Sequence, residues 1–209
     1  MKRVMILCSI LFVSLASMRG IAESDILFSV PSTQAWQKFV AKYGTGFCVN
    51  WDEKIEVPRK IYGKGIVIKE GNINDTNEAM NLMYQFLSQH RDLFKIDTEN
   101  LKISSVEDDQ EYFYMKFNQY YNDVQVFSAF LGATIKRNGE IVSIGGRIYP
   151  NITISTLPQI RLEKALKIVE ESNKDTIEVH SSELVIIPVE GGKSTDYKLI
   201  ILANSNLDL

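Results

Sequence analysis

The chain has 209 residues, of which 45% are hydrophobic and 23% charged, and its formal net charge is −3. These values are typical of a globular protein and exclude a fibrous repeat or a polytopic membrane protein. The acidic balance offers no basic footprint for phosphates, so we expect no nucleic-acid partner. His90 and His180 lie too far apart in sequence for a helix that carries two histidine ligands of zinc.

The first 22 residues have the pattern of a secretory signal peptide. Lys2 and Arg3 precede an apolar run at residues 4–16, and small residues lead to a possible cleavage after Ala22. The run is too short for a stable membrane span, which needs about 20 residues. Cleavage would leave 187 residues with a net charge of −6. We therefore expect an exported protein, whether secreted, periplasmic or at the cell surface.

Residues 23–50 are predicted to form an N-terminal helical extension. Apolar side chains recur at helical spacing between residues 32 and 43, and Gly44 follows as a stop signal. The cysteine left after cleavage, Cys48, has the apolar neighbours Phe47 and Val49. Because free cysteines are usually buried and inert, we predict a buried structural thiol there.

A stronger helix is predicted after a region of short strands at residues 47–68. Asp75 and Glu78 have the spacing of a capping box, and apolar residues then repeat at helical period up to His90. His90 itself is expected to be a partly exposed residue at the end of this helix.

From residue 101 to 149 the hydrophobic period changes to two, which is typical of strands with one buried face. Asn122-Asp123 and Asn138-Gly139 separate the runs, and we predict for Asn138-Gly139 a hairpin turn with positive φ at both central residues. For Gly145-Gly146 we predict a bend or bulge. An antiparallel meander is the simplest arrangement of these segments.

A third helix is predicted from the spacing of Leu162, Ala165, Leu166 and Val169. A last strand pair, at residues 183–189 and 197–203, flanks Gly191-Gly192. The predicted fold class is therefore α+β, with helices packed on an antiparallel sheet meander.

The sequence singles out no catalytic, cofactor-binding or metal-binding residues, and we expect a non-catalytic protein. A catalytic site assembled from carboxylates that lie far apart in the sequence stays open as an alternative. An acidic group at Asp108, Asp109 and Glu111 lacks the ligand pattern of a calcium loop and is expected to be a solvated turn. An aromatic set has two open interpretations: a protein-binding face of the sheet, or a surface that another layer of this chain covers. Its members are Tyr112, Tyr114, Tyr120, Tyr121 and Phe130.

The central segment resembles the propeptides of thermolysin-like and fungalysin-like metallopeptidases. The resemblance is carried by the run FNQYYNDVQVF at residues 117–127, by ATI at 133–135 and by NGEIVS at 138–143. Upstream, the helix that ends at His90 and the following DLF resemble the fungalysin/thermolysin propeptide (FTP) motif. Downstream, EKA at 163–165 and YKL at 197–199 resemble a PepSY domain.

This resemblance implies two propeptide-like subdomains, at residues 51–150 (FTP-like) and 151–209 (PepSY-like). It also implies a non-catalytic role as inhibitor and folding chaperone of a thermolysin-like zinc metallopeptidase. The peptidase would act in cis if the sequence is the front part of a precursor, and in trans if the domain stands alone. Five residues match family positions and are candidates for the partner interface or the family's own fold: Gln119, Tyr121, Val126, Phe127 and Gly139.

The alternative is an extracellular binding or adhesion module of the same fold, which the predicted exposed tyrosines favour. Pull-down of a surface protein or glycan, without a peptidase, would distinguish it from the inhibitor.

Overall fold

A computed structural model describes residues 33–161, 163–165, 167–168, 179–190 and 195–205. The predicted signal peptide, the Gly191-Gly192 loop and three residues of the third predicted helix (Leu162, Leu166 and Val169) lie outside them. The helices are α1 (Gln34–Tyr43), α2 (Thr76–Gln89) and α3 (Arg91–Phe94), with a 3-10 turn at Thr98–Asn100. The strands are β1 (Phe47–Asp52), β2 (Val57–Val67), β3 (Leu101–Asp108), β4 (Tyr112–Tyr121), β5 (Val124–Lys136), β6 (Glu140–Arg147), β7 (Val179–Glu190) and β8 (Thr195–Ser205).

All eight strands form one sheet, and the α+β fold class is confirmed. The main order is β1-β2-β6-β5-β4-β3, which contains the predicted meander from β3 to β6. The strand β7 pairs in parallel with the first part of β5, and β8 pairs with β7. The predicted last strand pair is thus present. Among the helices that the structure describes, none is long and apolar enough to cross a membrane.

The helix α2 begins at the predicted cap, with one difference from a capping box. The Asp75 side chain accepts a hydrogen bond of 2.8 Å from the Glu78 amide. The Glu78 carboxylate returns to the amide of Asn74, at 2.8 Å, instead of that of Asp75. Lys69 lies 2.5 Å from the same carboxylate and, by hydrogen bonding to its charged form, lowers the pKa of Glu78.

The two hairpin turns of the meander differ from prediction. Positive φ at both central residues occurs at Asn122 and Asp123, with values of 48° and 63°. In the second turn only Gly139 has positive φ, at 87°, and its amide donates to Lys136 at 3.0 Å. A glycine with positive φ as the last residue of a four-residue turn is the arrangement of a bulged hairpin loop. The prediction of two positive φ values at Asn138-Gly139 is therefore wrong.

The glycine pair in β6 is not a bulge. The register is continuous at Gly145 and Gly146, and the irregular pairing of β5 with β6 lies between Thr134 and Ile135. A Cβ at Gly146 would lie far inside contact distance of the Phe130 carbonyl and 2.9 Å from the Leu131 Cα. Close approach of the neighbouring backbone requires glycine at this position.

Two groups of buried hydrophobic residues hold the fold. The larger lies between the helices and one face of the sheet, and it includes Phe39, Phe86, Phe113 and Phe117. The smaller forms where the start of β5 meets β7 and residues 149–152. One continuous sheet joins both groups, and the division into subdomains at residue 150 stays a prediction.

Candidate protein-binding face

The two faces of the sheet have different surroundings. Along β4, buried Phe113, Met115 and Phe117 alternate with more exposed residues, and the buried set packs against the helices. Side chains that alternate with them must therefore point away from the helices. In the part of the chain that the structure describes, no helix covers this second face, which we call the open face.

The open face is rich in aromatic residues. Tyr114 is 40% exposed and Phe130 38%, and Tyr62 and Phe127 are each 45% exposed. Tyr112 and Tyr120 occupy further outward positions of β4. Within the described residues, this arrangement favours the first interpretation of the aromatic set, an uncovered face. The position of Tyr62 on this face was not predicted, because a single tyrosine between lysines and glycines shows no alternating hydrophobic pattern.

Tyr121 was assigned to this set wrongly. It follows outward-facing Tyr120 and therefore points to the opposite side of β4, where it packs against the smaller hydrophobic group. The reason is the strict alternation of side chains along a strand, which separates any two adjacent tyrosines.

Basic side chains surround the aromatic rings. Lys116 lies 5.2 Å from the ring centroid of Phe130, Lys60 lies 5.3 Å from that of Tyr62, and Lys102 lies 4.4 Å from that of Tyr120. Such cation–π contacts hold the ammonium groups over the sheet without neutralising them. The open face thus carries ammonium groups beside its aromatic rings, of which that of Lys102 is paired with Asp123, and it also carries Glu107, the cross-strand neighbour of Tyr114.

The acidic turn beside the open face is solvated, as predicted, and holds Tyr114. Asp109 accepts bonds from the amides of Glu111 and Tyr112, at 3.0 and 2.6 Å, and from the Tyr114 hydroxyl at 3.0 Å. The bond to Asp109 raises the pKa of the Tyr114 hydroxyl. Asp108 pairs instead with Arg137, which lowers the pKa of Asp108. Among the described residues, no group of three or more His, Cys, Asp or Glu could hold a metal ion.

The other residues that match family positions are internal. Gln119 is 4% exposed, its Nε2 donates to the Tyr149 carbonyl at 2.7 Å, and its Oε1 accepts from the Tyr149 amide at 2.9 Å. Val126 is fully buried in the smaller hydrophobic group. Gly139 forms the turn described above, where the Ile68 amide donates to its carbonyl at 2.9 Å. Of the five candidates, only Phe127 lies on the open face.

Cys48 does not have the predicted environment. The residue is exposed, because it alternates with half-buried Val49 in the edge strand β1 and pairs with outward-facing Tyr62. The prediction of a buried thiol is wrong, since apolar sequence neighbours of a strand residue lie on the opposite face.

His90 ends α2, as predicted, and lies against aromatic rings. Its Nε2 is 3.0 Å from the Tyr43 hydroxyl, and the rings of Phe39 and Phe86 lie 5.3 and 4.7 Å from it, centroid to centroid. Burial among these rings disfavours the imidazolium, and Lys42 adds repulsion. Together they lower the pKa of His90 to about 4.

This lowered pKa predicts a loss of stability on mild acidification. Because an unfolded histidine titrates near 6.5, the unfolded chain binds the extra proton first as the pH falls from about 6.5 towards 4. We expect the free energy of unfolding to drop by roughly 1–2 kcal/mol over that window, allowing for the partial exposure of the ring. Urea unfolding at several pH values measures it. If the free energy of unfolding of His90→Gln falls as steeply with pH between 6.5 and 5 as that of the unchanged protein, His90 is not the cause of the loss of stability.

No family model matches the sequence. Among solved structures, the chain is similar to the Bacillus megaterium YpeB C-terminal domain, with 13% sequence identity and a TM-score of 0.39. That similarity covers 84% of this chain and 85% of the other. A likeness at this level assigns neither a family nor a function.

Proposed function

We propose that the chain is an exported, non-catalytic domain that binds and restrains a thermolysin-like zinc metallopeptidase through the open face. The observation that supports binding is the uncovered face itself, where Tyr62, Tyr114, Phe127 and Phe130 are each more than a third exposed. The peptidase as target rests on the resemblance of residues 117–127 and their flanks to propeptides. The peptidase is either part of the same precursor, which is inhibition in cis, or a separate protein, which is inhibition in trans.

The chemistry of the face suits a protein partner. Exposed aromatic groups supply large apolar contact areas and are enriched where interfaces are strongest. The neighbouring lysines orient an approaching partner by charge. A domain that binds only the folded peptidase also stabilises it by mass action, and a covalent link raises the effective concentration. Inhibition of the peptidase and assistance in its folding are then two results of the same contact.

Inhibition of a thermolysin-like peptidase by the purified exported chain tests the proposal. We expect slowed hydrolysis of a peptide substrate, and at least about a tenfold weaker inhibition constant for the double variant Phe127→Ala/Phe130→Ala, because both rings leave the contact. Leu157→Ala is the matched control, since Leu157 is 79% exposed but lies outside the open face.

Two results would contradict the proposal. One is the absence of both inhibition and improved refolding across several thermolysin-like peptidases. The other is inhibition that the double variant leaves unchanged. Recovery of a surface protein or glycan by the same face, with no peptidase, would support the alternative function as an adhesion module.

A further inference from the structure

Three strands of the sheet have a neighbour on one side only. Within the described residues, these edge strands are β1, β3 and β8. An edge strand exposes unpaired amides and carbonyls to other chains, and bulges and charged side chains commonly protect it. The pairing of β1 shifts between Asn50 and Trp51, and that of β3 shifts between Ile103 and Ser105. Both of these edges are therefore protected by an irregularity.

The edge of β8 is regular and apolar. Nine successive residue pairs join β8 to β7 without a shift in register. Residues 199–203 read LIILA, and the charged residues of β8, Asp196 and Lys198, both precede this run. In an antiparallel pair every second residue points its amide and carbonyl away from the neighbouring strand. Among any four successive residues of β8, two amides and two carbonyls therefore face outwards.

A cavity of about 670 Å³ lies along this edge. It is lined by residues 198–201, which are consecutive in β8, whereas Leu184 is the one described residue of β7 that lines it. Because successive side chains of a strand point to opposite faces, a cavity over one face is lined mainly by alternate residues. Four consecutive residues therefore indicate a cavity that extends along the outer edge, and we call it the β8 slot. Its opposite wall is mainly apolar and includes Ile154, Leu157, Pro158 and Ile160.

This wall leaves the outward backbone groups of β8 unbonded. No backbone hydrogen bond between described residues joins residues 150–160 to β8. The Leu157 amide bonds within its own segment, to Oγ of Ser155 at 3.3 Å. A side-chain bond links the wall to β8 beside the slot, where the Tyr197 hydroxyl donates to the Pro150 carbonyl at 3.3 Å. An occupant that satisfies β8 must therefore supply donors and acceptors at the spacing of a strand.

An extended polypeptide segment meets this requirement. It presents amides and carbonyls along its length, whereas a helix uses them internally and an acyl chain has none. The four lining residues of β8 span about 13 Å at about 3.3 Å per residue, which is enough for a short added strand. A second copy of the chain fits less well, because the two-fold axis of an antiparallel pair of β8 strands is perpendicular to the sheet. The walls of both copies would then lie on the same side of the sheet, over the same two strands.

From this geometry we infer that the β8 slot receives an extended segment of a second partner protein, which adds to the sheet as a strand beside β8. Its apolar side chains, at every second position, pack against Leu157 and Ile160. In this mode of recognition main-chain bonds supply affinity and the side-chain pockets supply selectivity. None of the exposed aromatic residues of the open face lines the slot, so the inference goes beyond the proposed function and does not depend on it.

Binding of short β-forming peptides to the exported chain tests the inference. The probe has eight residues that alternate valine and threonine, and two further versions carry N-methyl groups on all valine amides or on all threonine amides. Because valine and threonine amides point to opposite edges of the extended peptide, only one version loses the donors that face β8. By calorimetry we expect the parent peptide to bind, one methylated version to bind at least tenfold more weakly, and the other to bind nearly as the parent does.

Variants of the wall test the location of binding. Leu157→Glu/Ile160→Glu places two carboxylates against the apolar side of the peptide and is expected to weaken its binding at least tenfold. Because Leu157 and Ile160 are 79% and 43% exposed, we expect the fold to be retained, which urea unfolding verifies. Ile103→Glu is the matched control, since Ile103 is 37% exposed on the protected edge strand β3 and lies outside the slot.

Four results would overturn the inference: no binding of the parent peptide, equal effects of the two methylation patterns, full binding by the wall variant, or tighter binding of dodecanoate than of the peptide. A concentration-dependent dimer that the wall variant abolishes would overturn it in favour of a second copy of this chain. The open-face variant Phe127→Ala/Phe130→Ala is expected to retain peptide binding, and its loss would place the peptide outside the slot. Peptide binding by a chain that inhibits no peptidase supports the slot and contradicts only the proposed function.

Discussion

Replacement of Gly146 by alanine is expected to destabilise the protein by about 3 kcal/mol or more, whereas the same replacement at Gly132 is expected to be neutral or stabilising. A Cβ at Gly146 would overlap the Phe130 carbonyl and approach the Leu131 Cα to 2.9 Å. Both obstacles are backbone atoms of a paired strand, so relief requires a shift of β5 or β6. At Gly132 alanine adds no clash, and it reduces the freedom of the unfolded chain, a gain of up to about 1 kcal/mol.

Urea unfolding of the two single variants measures this difference, with the slope of the transition as a check that the unfolded state is unchanged. The pair is well matched because both glycines lie in paired positions of adjacent strands, at Leu131–Gly146 and Gly132–Gly145. A stable Gly146→Ala variant would show that β6 can move away from β5. A Gly132→Ala variant that loses as much stability as Gly146→Ala would contradict the expectation that only Gly146 lacks room for a Cβ.

The local elements could be predicted from the sequence because their determinants are local. The helix α2 has its cap at Asp75, and the meander has its alternation and turn residues, all within a few positions of the structure they specify. The hairpin turns show where local prediction fails, because the turn type predicted for Asn138-Gly139 occurs at Asn122-Asp123 instead. Asn122-Asp123 adopts two positive φ values because it is a two-residue loop between the paired residues Tyr121 and Val124. That pairing follows a register shift between Asn118 and Tyr120, which the local sequence does not reveal.

The open face could be predicted only in part. Alternation identifies Tyr112, Tyr114 and Tyr120 as sharing one side of β4, but it cannot say whether a further layer lies above them. The row of cross-strand neighbours at the centre of this face could not be predicted from the sequence for a different reason. Lys60, Gly145, Gly132 and Lys116 become neighbours only because β2 pairs with β6 across more than 70 residues of intervening chain, and no local pattern encodes that pairing.

The parallel pairing of β7 with β5 was also missed, and it explains the position of Gln119. The register of β4 with β5 shifts between Asn118 and Tyr120, so Gln119 has no paired residue on β5. Beyond this point β5 changes its neighbour, from β6 at Phe130 to β7 at Val126. The Gln119 side chain occupies the junction and bonds to the backbone of Tyr149, where the chain leaves β6.

Replacement of Gln119 by leucine is therefore expected to cost about 2–4 kcal/mol of stability. Leucine fills a similar volume, but it leaves the amide and the carbonyl of Tyr149 buried without partners, and each such group costs about 1–3 kcal/mol. Asn118→Leu, an amide-to-leucine change at the neighbouring outward-facing position, is the control and should change stability by less than about 1 kcal/mol.

The same variant separates the two roles that family resemblance leaves open for Gln119. If Gln119 builds the domain's own fold, Gln119→Leu lowers the free energy of unfolding and leaves the inhibition constant unchanged at temperatures where the variant remains folded. If Gln119 contacts the partner, stability is retained and inhibition is lost. Its 4% exposure and two backbone bonds favour the first result, because a side chain already satisfied inside the protein has no polar group left for a partner.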